Sequence, residues 1–600
     1  MRLFLACLLL IVYRLTAATQ PNVIVMLADD AGWGDYSFNG NHQLATPNID
    51  ALAKGGAHFD RFFVQPVCSP TRSEFLTGRY HRRLGVTGVS TGHERMNLDE
   101  KTFADSFKAA GYVTGIFGKW HNGSQWPYHP LARGFDTFWG YTSGHWGEYF
   151  NAPLEHNGVM KTSKGYIVDV LTEKALQFID RNKAKPFLCY VPFTTPHSPW
   201  SVPPEDWNRF KDKPITQTAT QPALEKPDET RCALAMLENQ DRNVGRILAK
   251  LKELNLENDT IVVYFSDNGP NGHRWTGGMK GTKASTDEGG VRSPLFIRWP
   301  GKIAAGMQVR YIAGAIDLSP TLHGLAGVAN DKKWPEADDL FDGRSFASLL
   351  KGKRYCDSDF IPRYIFNSWA NNVSVRTQTH RLDNAGNLFD MIADPGQTTP
   401  IQAKQPELAK ELTAAVAAWR KQLGIATPVG GKGKGGPGNG VDPRPLAIGY
   451  REFPITMLPA RDGEPRGEMR RSGKAPNSSY FVNWTKAEDS AVWNIEVVTA
   501  GTYIVTVDYT CPAADIGSKL ELSFEGTLLK GKVSEAWDPP LLADQDVVPR
   551  GTGESVMKVF HTMTLGEVRL EPGKGELKLR ATDIPGKSVM DLRRVTMTLK

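Results

Sequence analysis

The stretch Val23-Ile-Val-Met-Leu-Ala-Asp-Asp30 joins six apolar residues directly to two aspartates. A strand that is apolar on both faces is typical of a parallel sheet covered by helices on both sides. Further short apolar runs follow up to about residue 330, and helical patterns such as Thr102 to Ala110 and Cys232 to Leu254 lie between them. This alternation predicts an α/β fold with a largely parallel sheet flanked by helices.

Three other apolar runs also end in polar residues. Val113 to Phe117 leads to Lys119 and His121, Phe187 to Phe193 leads to His197, and Ile261 to Phe265 leads to Asp267 and Asn268. Ligands of open α/β sheets bind outside the carboxyl ends of the strands. We therefore expect four strands to deliver Asp, Lys, His and Asn side chains to one edge of the sheet.

Four of these side chains offer oxygen atoms and predict a metal site: Asp29, Asp30, Asp267 and Asn268. Oxygen ligands suit a hard cation, and several carboxylates favour Ca²⁺, with Mg²⁺ as the alternative. Neighbouring residues of a strand point to opposite faces, so the two adjacent aspartates reach one ion only where the chain bends. Gly32 and Gly34 suggest that bend. Each motif alone is also typical of an ordinary turn, and it is their joint placement at strand ends that favours a metal site.

The chain after the first unit, 19–335, divides into three parts. Residues 336–425 carry turn-flanked strands and a helix, which predicts a small α+β subdomain. Residues 426–445 are predicted to be a linker, because Gly430 to Gly440 has almost no side chains that could pack. Residues 446–600 alternate between apolar and polar positions, which predicts a separate antiparallel β-sandwich.

Residues 1–18 are predicted to be a targeting segment. Met1-Arg2 precedes the apolar run Leu3 to Val12, and Thr16-Ala-Ala18 supplies the small residues of a signal-peptidase site. Cys7 also allows a lipoprotein signal, but the apolar run continues past it. We expect an exported protein, periplasmic or extracellular, without a transmembrane span, because no later run is apolar for 18 residues.

Composition excludes several classes of protein. A net charge of +6 over 600 residues, without a basic tail or stripe, does not suggest a nucleic-acid partner. The six cysteines form no C-x-x-C pair that would indicate a zinc or redox centre.

The string Cys68-Ser-Pro-Thr-Arg72, continued by Leu76-Thr-Gly-Arg79, resembles the signature of type I sulfatases. Asn22 to Asp30, Thr46 to Asp50 and Glu288 to Pro294 resemble other motifs of that family, in the same order. The resemblance implies an alkaline-phosphatase-like α/β fold. It also implies that a maturation enzyme oxidises Cys68 to formylglycine.

The resemblance assigns a role to each candidate residue. Asp29, Asp30, Asp267, Asn268 and the modified Cys68 are implied to hold Ca²⁺. Arg72 and His121 are implied to position the formylglycine hydroxyls, and Lys119, His197 and Lys283 to bind sulfate oxygens. Ser143 and His145 lie in a loop that lines the pocket in relatives. Lys280 is close in sequence to Lys283 but lacks the family's spacing to Glu288.

The physical logic of these residues is that of sulfate monoester hydrolysis. A cation, two lysines, Arg72 and a histidine would neutralise the charge of the sulfate oxygens. One hydroxyl of the hydrated aldehyde would attack sulfur, with Asp267 as a candidate proton acceptor, and the second would expel sulfate. His197 or Lys283 can protonate the departing alkoxide. We expect a sulfated carbohydrate or an aryl sulfate as substrate.

Two other functions stay open at this stage. The first is a phosphonate or phosphodiester hydrolase of the same superfamily, and the second is an inactive, glycan-binding homologue. Ten aromatic residues between Trp120 and Phe150 either shape a sugar-binding rim or, as we favour, pack in the core. Since every candidate residue precedes the linker, we expect a protein ending near Thr427 to cleave small aryl sulfates.

Overall fold

The computed structural model describes residues 20–329, 341–352, 362–426 and 440–600. The predicted signal segment, 1–18, and most of the predicted linker lie outside the described residues. Within the described part, no helix combines the length and the apolar character that crossing a bilayer requires. The cysteines of this part are free thiols: Cys68, Cys189, Cys232 and Cys511.

The first unit is built on one mixed sheet, which has ten strands within the described residues. The strands of this unit in chain order are β1 (Asn22–Ala28), β2 (Ala57–Phe59), β3 (Phe62–Phe63), β4 (Val113–Lys119), β5 (Thr137–Tyr141), β6 (Pro153–His156), β7 (Val159–Thr162), β8 (Phe187–Pro192), β9 (Thr260–Ser266), β10 (Arg292–Ser293), β11 (Leu295–Arg298), β12 (Met307–Val309) and β13 (Ala313–Gly314). The large sheet has the order β12-β2-β11-β9-β1-β8-β4-β5-β6-β7, and β10, β3 and β13 form a small sheet. Five neighbouring strands of the large sheet, β9-β1-β8-β4-β5, are all parallel to one another. The predicted α/β fold is confirmed.

Helices cover both faces of this sheet. They are α1 (Pro47–Lys54), α2 (Cys68–Thr77), α3 (Phe103–Ala109), α4 (Ile167–Asn182), α5 (Pro204–Phe210), α6 (Pro227–Glu253), α7 (Glu288–Val291), α8 (Leu318–Ala326) and α9 (Ala347–Leu350). Ile24 and Met26 of β1 belong to the core that contains α4 and α6, whereas Val23 and Val25 belong to the core that contains α2, α3 and α8. Because both faces of the strand are buried, its sequence is apolar at every position.

A small α+β unit follows. It contains β14 (Ile365–Trp369), β15 (Asn372–Arg376), β16 (His380–Leu382), β17 (Leu388–Asp390) and α10 (Pro406–Gln422). The four strands form one antiparallel sheet. Arg376 of β15 forms a buried ion pair with Glu288 of the first unit, at 2.6 Å.

The C-terminal region is a β-sandwich, as the sequence predicted. Its strands are β18 (Leu446–Ile448), β19 (Ile455–Pro459), β20 (Glu464–Arg466), β21 (Arg470–Arg471), β22 (Phe481–Val482), β23 (Ser490–Val497), β24 (Gly501–Thr510), β25 (Lys519–Phe524), β26 (Thr527–Lys532), β27 (His561–Leu570), β28 (Gly573–Asp583) and β29 (Asp591–Leu599). They form two sheets of six strands each within the described residues. The two sheets share one core, which contains Trp484 and Trp493.

The β-sandwich packs directly on the first unit. Gln125 donates to Met457 O and to Asp462, both at 3.0 Å, and Arg593 pairs with Glu148 at 2.8 Å. Seven of the ten clustered aromatic residues are buried: Trp120, Tyr128, Phe135, Phe138, Tyr141, Trp146 and Tyr149. Trp126 stacks on Phe453 across this interface, with ring centroids 5.5 Å apart. The aromatic cluster therefore serves mainly in packing, the interpretation that the sequence favoured.

Candidate active site

The four strands that carry site residues end at one edge of the sheet. Ala28 of β1 lies opposite Ser266 of β9, and Leu27 lies opposite Pro192 of β8. Beyond the strands, Asp29 N donates to Thr195 O at 3.0 Å, and Asp267 N donates to Ala28 O at 3.2 Å. These hydrogen bonds join the loops after β1, β8 and β9 into one platform.

The bend that turns both aspartates toward the site lies at Asp30 itself. Its φ is +68°, in the left-handed region, whereas the sequence had suggested a bend at Gly32 and Gly34. Gly32 and Gly34 serve close packing instead: an added Cβ would lie 2.6 Å from Pro270 Cδ or 2.4 Å from Trp275 O, respectively. His121 and Ala284, which flank other site residues, also have left-handed φ values, +64° and +69°. Such conformations cost on the order of 1–3 kcal/mol each and are concentrated at functional sites.

Cys68 is the first residue of α2 and is 3% exposed. One ligand atom each of Asp29, Cys68 and Asp267 lie within 4.8 Å of one another. Burial raises the pKa of the Cys68 thiol. Asn268 Nδ2 donates to Asp30 Oδ1 at 2.8 Å, whereas Asn268 Oδ1 is buried without a hydrogen-bond partner. A buried amide oxygen beside three carboxylates fits a hard cation.

Each carboxylate of the site contacts a cationic side chain. Lys119 Nζ lies 2.8 Å from Asp29 Oδ2, Lys283 Nζ lies 2.7 Å from Asp30 Oδ2, and Arg72 Nη2 lies 2.8 Å from Asp267 Oδ2. Burial and the neighbouring Asp29 carboxylate raise the pKa of Asp267 to about 7, although Arg72 opposes the shift. Burial also raises the pKa of Asp30, but the positive charges of His197 and Lys283 outweigh it, so that the pKa falls below its usual value.

Lys280 and Lys283 lie in different surroundings. Lys283 is held in the site by Asp30, and its backbone N donates to Pro270 O at 3.0 Å. The Lys280 side chain is 47% exposed and lies 3.9 Å from Asp287.

Three histidines lie around this cluster. His121 Nε2 donates to Val89 O at 2.8 Å, and its Nδ1 is buried without a partner. His197 donates from Nδ1 to Ser198 O at 2.7 Å, and its Nε2 lies 3.5 Å from Asp30 Oδ2. His145 Nδ1 lies 3.2 Å from His197 Nδ1. Burial lowers the pKa of all three imidazoles. Ser143 Oγ donates to His145 O and thereby shapes the loop.

Two residues of the β-sandwich also reach the site. Asn477 Nδ2 donates to Val89 O at 2.9 Å, the carbonyl that also accepts from His121. Glu554 Oε1 accepts from Ser198 Oγ at 2.6 Å, and its Oε2 lies 3.8 Å from His145 Nε2. This differs from our expectation that every site residue precedes the linker. Asn477 lies in a single 3-10 turn, Pro476–Ser478, and Glu554 lies outside helices and strands. Neither belongs to a motif, so the sequence carries no signal for them.

Residues 21–328 match the sulfatase family profile. The chain belongs to the sulfatase family. N-acetylgalactosamine-6-sulfatase of Canis lupus familiaris is 31% identical over 379 residues, which are 57% of this chain and 68% of that protein. The protein is therefore a sulfuric ester hydrolase.

Solved structures agree with this membership. The crystal structure of Ps i-CgsB in complex with k-i-k-neocarrahexaose is 28% identical, with a TM-score of 0.59, over 67% of this chain and 93% of that one. The phosphonate monoester hydrolase of Agrobacterium radiobacter has a TM-score of 0.52 at 20% identity, over 67% of this chain and 96% of that one, and at that identity shares the fold alone.

Proposed function

We propose that this sulfatase removes sulfate monoesters from a carbohydrate, using formylglycine formed at Cys68 and a Ca²⁺ ion. The observation that carries the proposal is the placement of Cys68 at the start of α2, with ligand atoms of Asp29 and Asp267 within 4.8 Å. The unpartnered Asn268 Oδ1 supports a cation held by this oxygen and by the carboxylates of Asp29, Asp30 and Asp267. Bound Ca²⁺ would withdraw charge from a sulfate oxygen and lower the pKa of the attacking hydroxyl. The hydrated aldehyde would supply that hydroxyl and a second one that allows sulfate to leave.

The residues around Cys68 would bind and orient the sulfate group. Lys119 and Lys283 bring two ammonium groups to the carboxylates of the site, where they can also meet sulfate oxygens. Arg72, held between Asp267 and Asp29, fixes the position of Asp267 as the proton acceptor. His197 donates its Nδ1 proton to Ser198 O, so the proton for the leaving alkoxide would be a second one, carried on Nε2 in the imidazolium form that the Asp30 carboxylate, 3.5 Å away, stabilises.

Two relatives support carbohydrate as the class of substrate. N-acetylgalactosamine-6-sulfatase is named for an amino-sugar sulfate, and Ps i-CgsB was solved with neocarrahexaose. A screen of modified enzyme against defined sulfated glycans, read as released sulfate, tests the class. Turnover of aryl sulfates alone, with no glycan desulfated, would contradict it.

The phosphonate or phosphodiester hydrolase is tested in the same assay. We expect aryl sulfate to be cleaved with a higher kcat/KM than an aryl phosphodiester. A higher kcat/KM for the aryl phosphodiester would favour the phosphonate or phosphodiester hydrolase. The inactive, glycan-binding alternative requires that enzyme fully modified at position 68 has no turnover of either compound.

Export and maturation complete the proposal. We infer that residues 1–18 direct the chain to the periplasm or the extracellular space, and that a formylglycine-generating enzyme acts on Cys68. The N-terminal sequence of the mature protein tests cleavage after Ala18. A mature protein that retains Met1 would contradict it.

A further inference from the structure

We propose that Glu554 of the β-sandwich is a positioning residue for the active site, because it holds the His145 ring that supports His197. The inference rests on the proposed function, in which His197 serves the leaving group. It makes the β-sandwich a working part of the active site, beyond any role in binding glycan.

The hydrogen bonds of His197 decide which nitrogen of His145 carries a proton. Ser198 O can only accept, so His197 Nδ1 carries the proton of that 2.7 Å contact. His145 Nδ1 lies 3.2 Å from the same nitrogen, and a second N–H there would face the first, so His145 Nδ1 must be unprotonated and can share the His197 proton with Ser198 O. The proton of neutral His145 therefore lies on Nε2, which faces Glu554.

His145 and Glu554 bring two buried polar atoms to face each other. His145 Nε2 and Glu554 Oε2 are both buried without a hydrogen-bond partner, and they lie 3.8 Å apart. Buried N–H groups and carboxylate oxygens are costly to leave unpaired. The contact is a donor facing an acceptor at slightly more than hydrogen-bond distance, and such contacts often shorten when substrate binds.

The surroundings of His145 favour the neutral ring. Burial lowers its pKa, and the neighbouring His197, Arg550, Lys119 and Lys283 lower it further. The β-sandwich also fixes the loop that carries His145, since Arg550 Nη2 donates to Gly147 O at 2.7 Å.

Glu554 acts on His197 from two sides. Oε2 faces His145, which accepts from His197, and Oε1 accepts from Ser198, whose carbonyl oxygen binds His197 Nδ1. A carboxylate that orients an imidazole, which in turn acts on the reacting group, is a recurrent catalytic arrangement.

The substitution Glu554→Gln distinguishes the contact with Ser198 from the contact with His145. The amide oxygen can still accept from Ser198, but the amide NH₂ then faces the Nε2 proton of His145, donor against donor. We expect kcat on a small aryl sulfate to fall about tenfold, with little change in KM, because the group oriented serves the chemical step. The matched control is Glu535→Gln, since Glu535 pairs with His561 at 3.2 Å on the exposed side of the same sandwich.

A double-mutant cycle with His145→Ala identifies the route. If Glu554 acts through His145, Glu554→Gln should change kcat by less than about twofold in the His145→Ala background. A tenfold loss of kcat from Glu554→Gln that persists in the His145→Ala background would overturn the proposal. So would a kcat of the Glu554→Gln single variant equal to that of Glu535→Gln. A crystal structure of Glu554→Gln gives a second readout, in which a His145 ring displaced by less than about 0.5 Å overturns it.

Stability is measured alongside activity. An unfolding midpoint within about 2 °C of the parent protein shows that the kcat effect is local. Where Glu554→Gln lowers the midpoint further, Glu554→Asp, which keeps the charge, should restore most of the kcat, and its failure to do so counts against positioning. Parent enzyme without activity on any sulfate ester would instead refute the proposed function, so the two failures are distinguishable.

Discussion

The carboxyl edge of the parallel sheet and the irregular segment around Glu554 both bring charged side chains to one cleft, but in different ways. At the sheet edge, Asp29 and Asp267 directly follow buried strands and Lys119 ends one, so the strand register fixes their places. Glu554 lies in a segment without helix or strand, and its position depends on how the β-sandwich packs on the first unit. Catalytic residues can therefore be predicted from sequence where they lie at the ends of regular strands. Residues that position them can come from irregular segments that only domain packing brings to the site.

The largest expected effect tests the sheet edge at Cys68. We expect Cys68→Ala to lower kcat/KM by about 10⁴-fold or more, because removal of a nucleophile leaves only binding and electrostatic effects. Cys68→Ser should also be severely impaired, since serine has no second hydroxyl with which to release sulfate. Mass spectrometry of the peptide should show the aldehyde or its hydrate in active protein. Full activity in a preparation that carries only the free thiol would contradict the assignment.

The second effect tests the metal site. Asp267 also balances Arg72, so Asp267→Asn is a better test than alanine, which would leave a buried guanidinium poorly paired. We expect about a 10³-fold loss of kcat from Asp267→Asn. Chelation should abolish turnover, and Ca²⁺ or Mg²⁺ should restore it. Stoichiometric zinc without an alkaline-earth ion in active enzyme would contradict the Ca²⁺ proposal.

The third effect compares two lysines three residues apart. Lys283→Ala should lower kcat/KM for aryl sulfate by about 10²-fold, because an ammonium group held at Asp30 is lost from the site. Lys280→Ala is the matched control and should have nearly parental kinetics, since its side chain is about half exposed and pairs with Asp287 rather than with a carboxylate of the site. Equal effects of the two substitutions would refute the assignment of Lys283.

The smallest effect in this series concerns the β-sandwich and replaces our sequence-based expectation. A protein that ends at Ala426 lacks Glu554 and Asn477, so we expect its kcat on a small aryl sulfate to fall about tenfold or more. Circular dichroism and the degree of Cys68 modification serve as controls for folding and maturation. A soluble, folded and modified truncation with parental kcat would show that the sandwich has no part in the active site.

Much of the fold and of the site was predictable from sequence. The doubly apolar β1 predicted a covered parallel sheet, and the residues after β1, β4, β8 and β9 meet at one edge as expected. Strand ends impose this convergence, so residue types at those positions were enough to find it.

Other features depend on tertiary geometry and left no trace in the sequence. The left-handed conformation of Asp30 could not be distinguished from a bend at Gly32 or Gly34, because all three positions suit a turn. The aromatic segment was compatible with a sugar-binding rim as well as with packing, and only burial decides between them. Glu554 is one of many acidic residues in its region, and its proposed role follows from its contacts with His145 and Ser198 across the interface.

The burial of Cys68 sets a time limit on its proposed oxidation. In the folded protein the thiol is almost inaccessible, so a maturation enzyme must reach it before the first unit closes. The sequence places 532 residues, 600 minus 68, after Cys68. At about 5–20 residues per second, synthesis of those residues takes roughly 30–110 s. The β-sandwich, which emerges after the first unit, would complete the active site only after that interval, so the order of these two units along the chain suits the order of events in the proposed maturation.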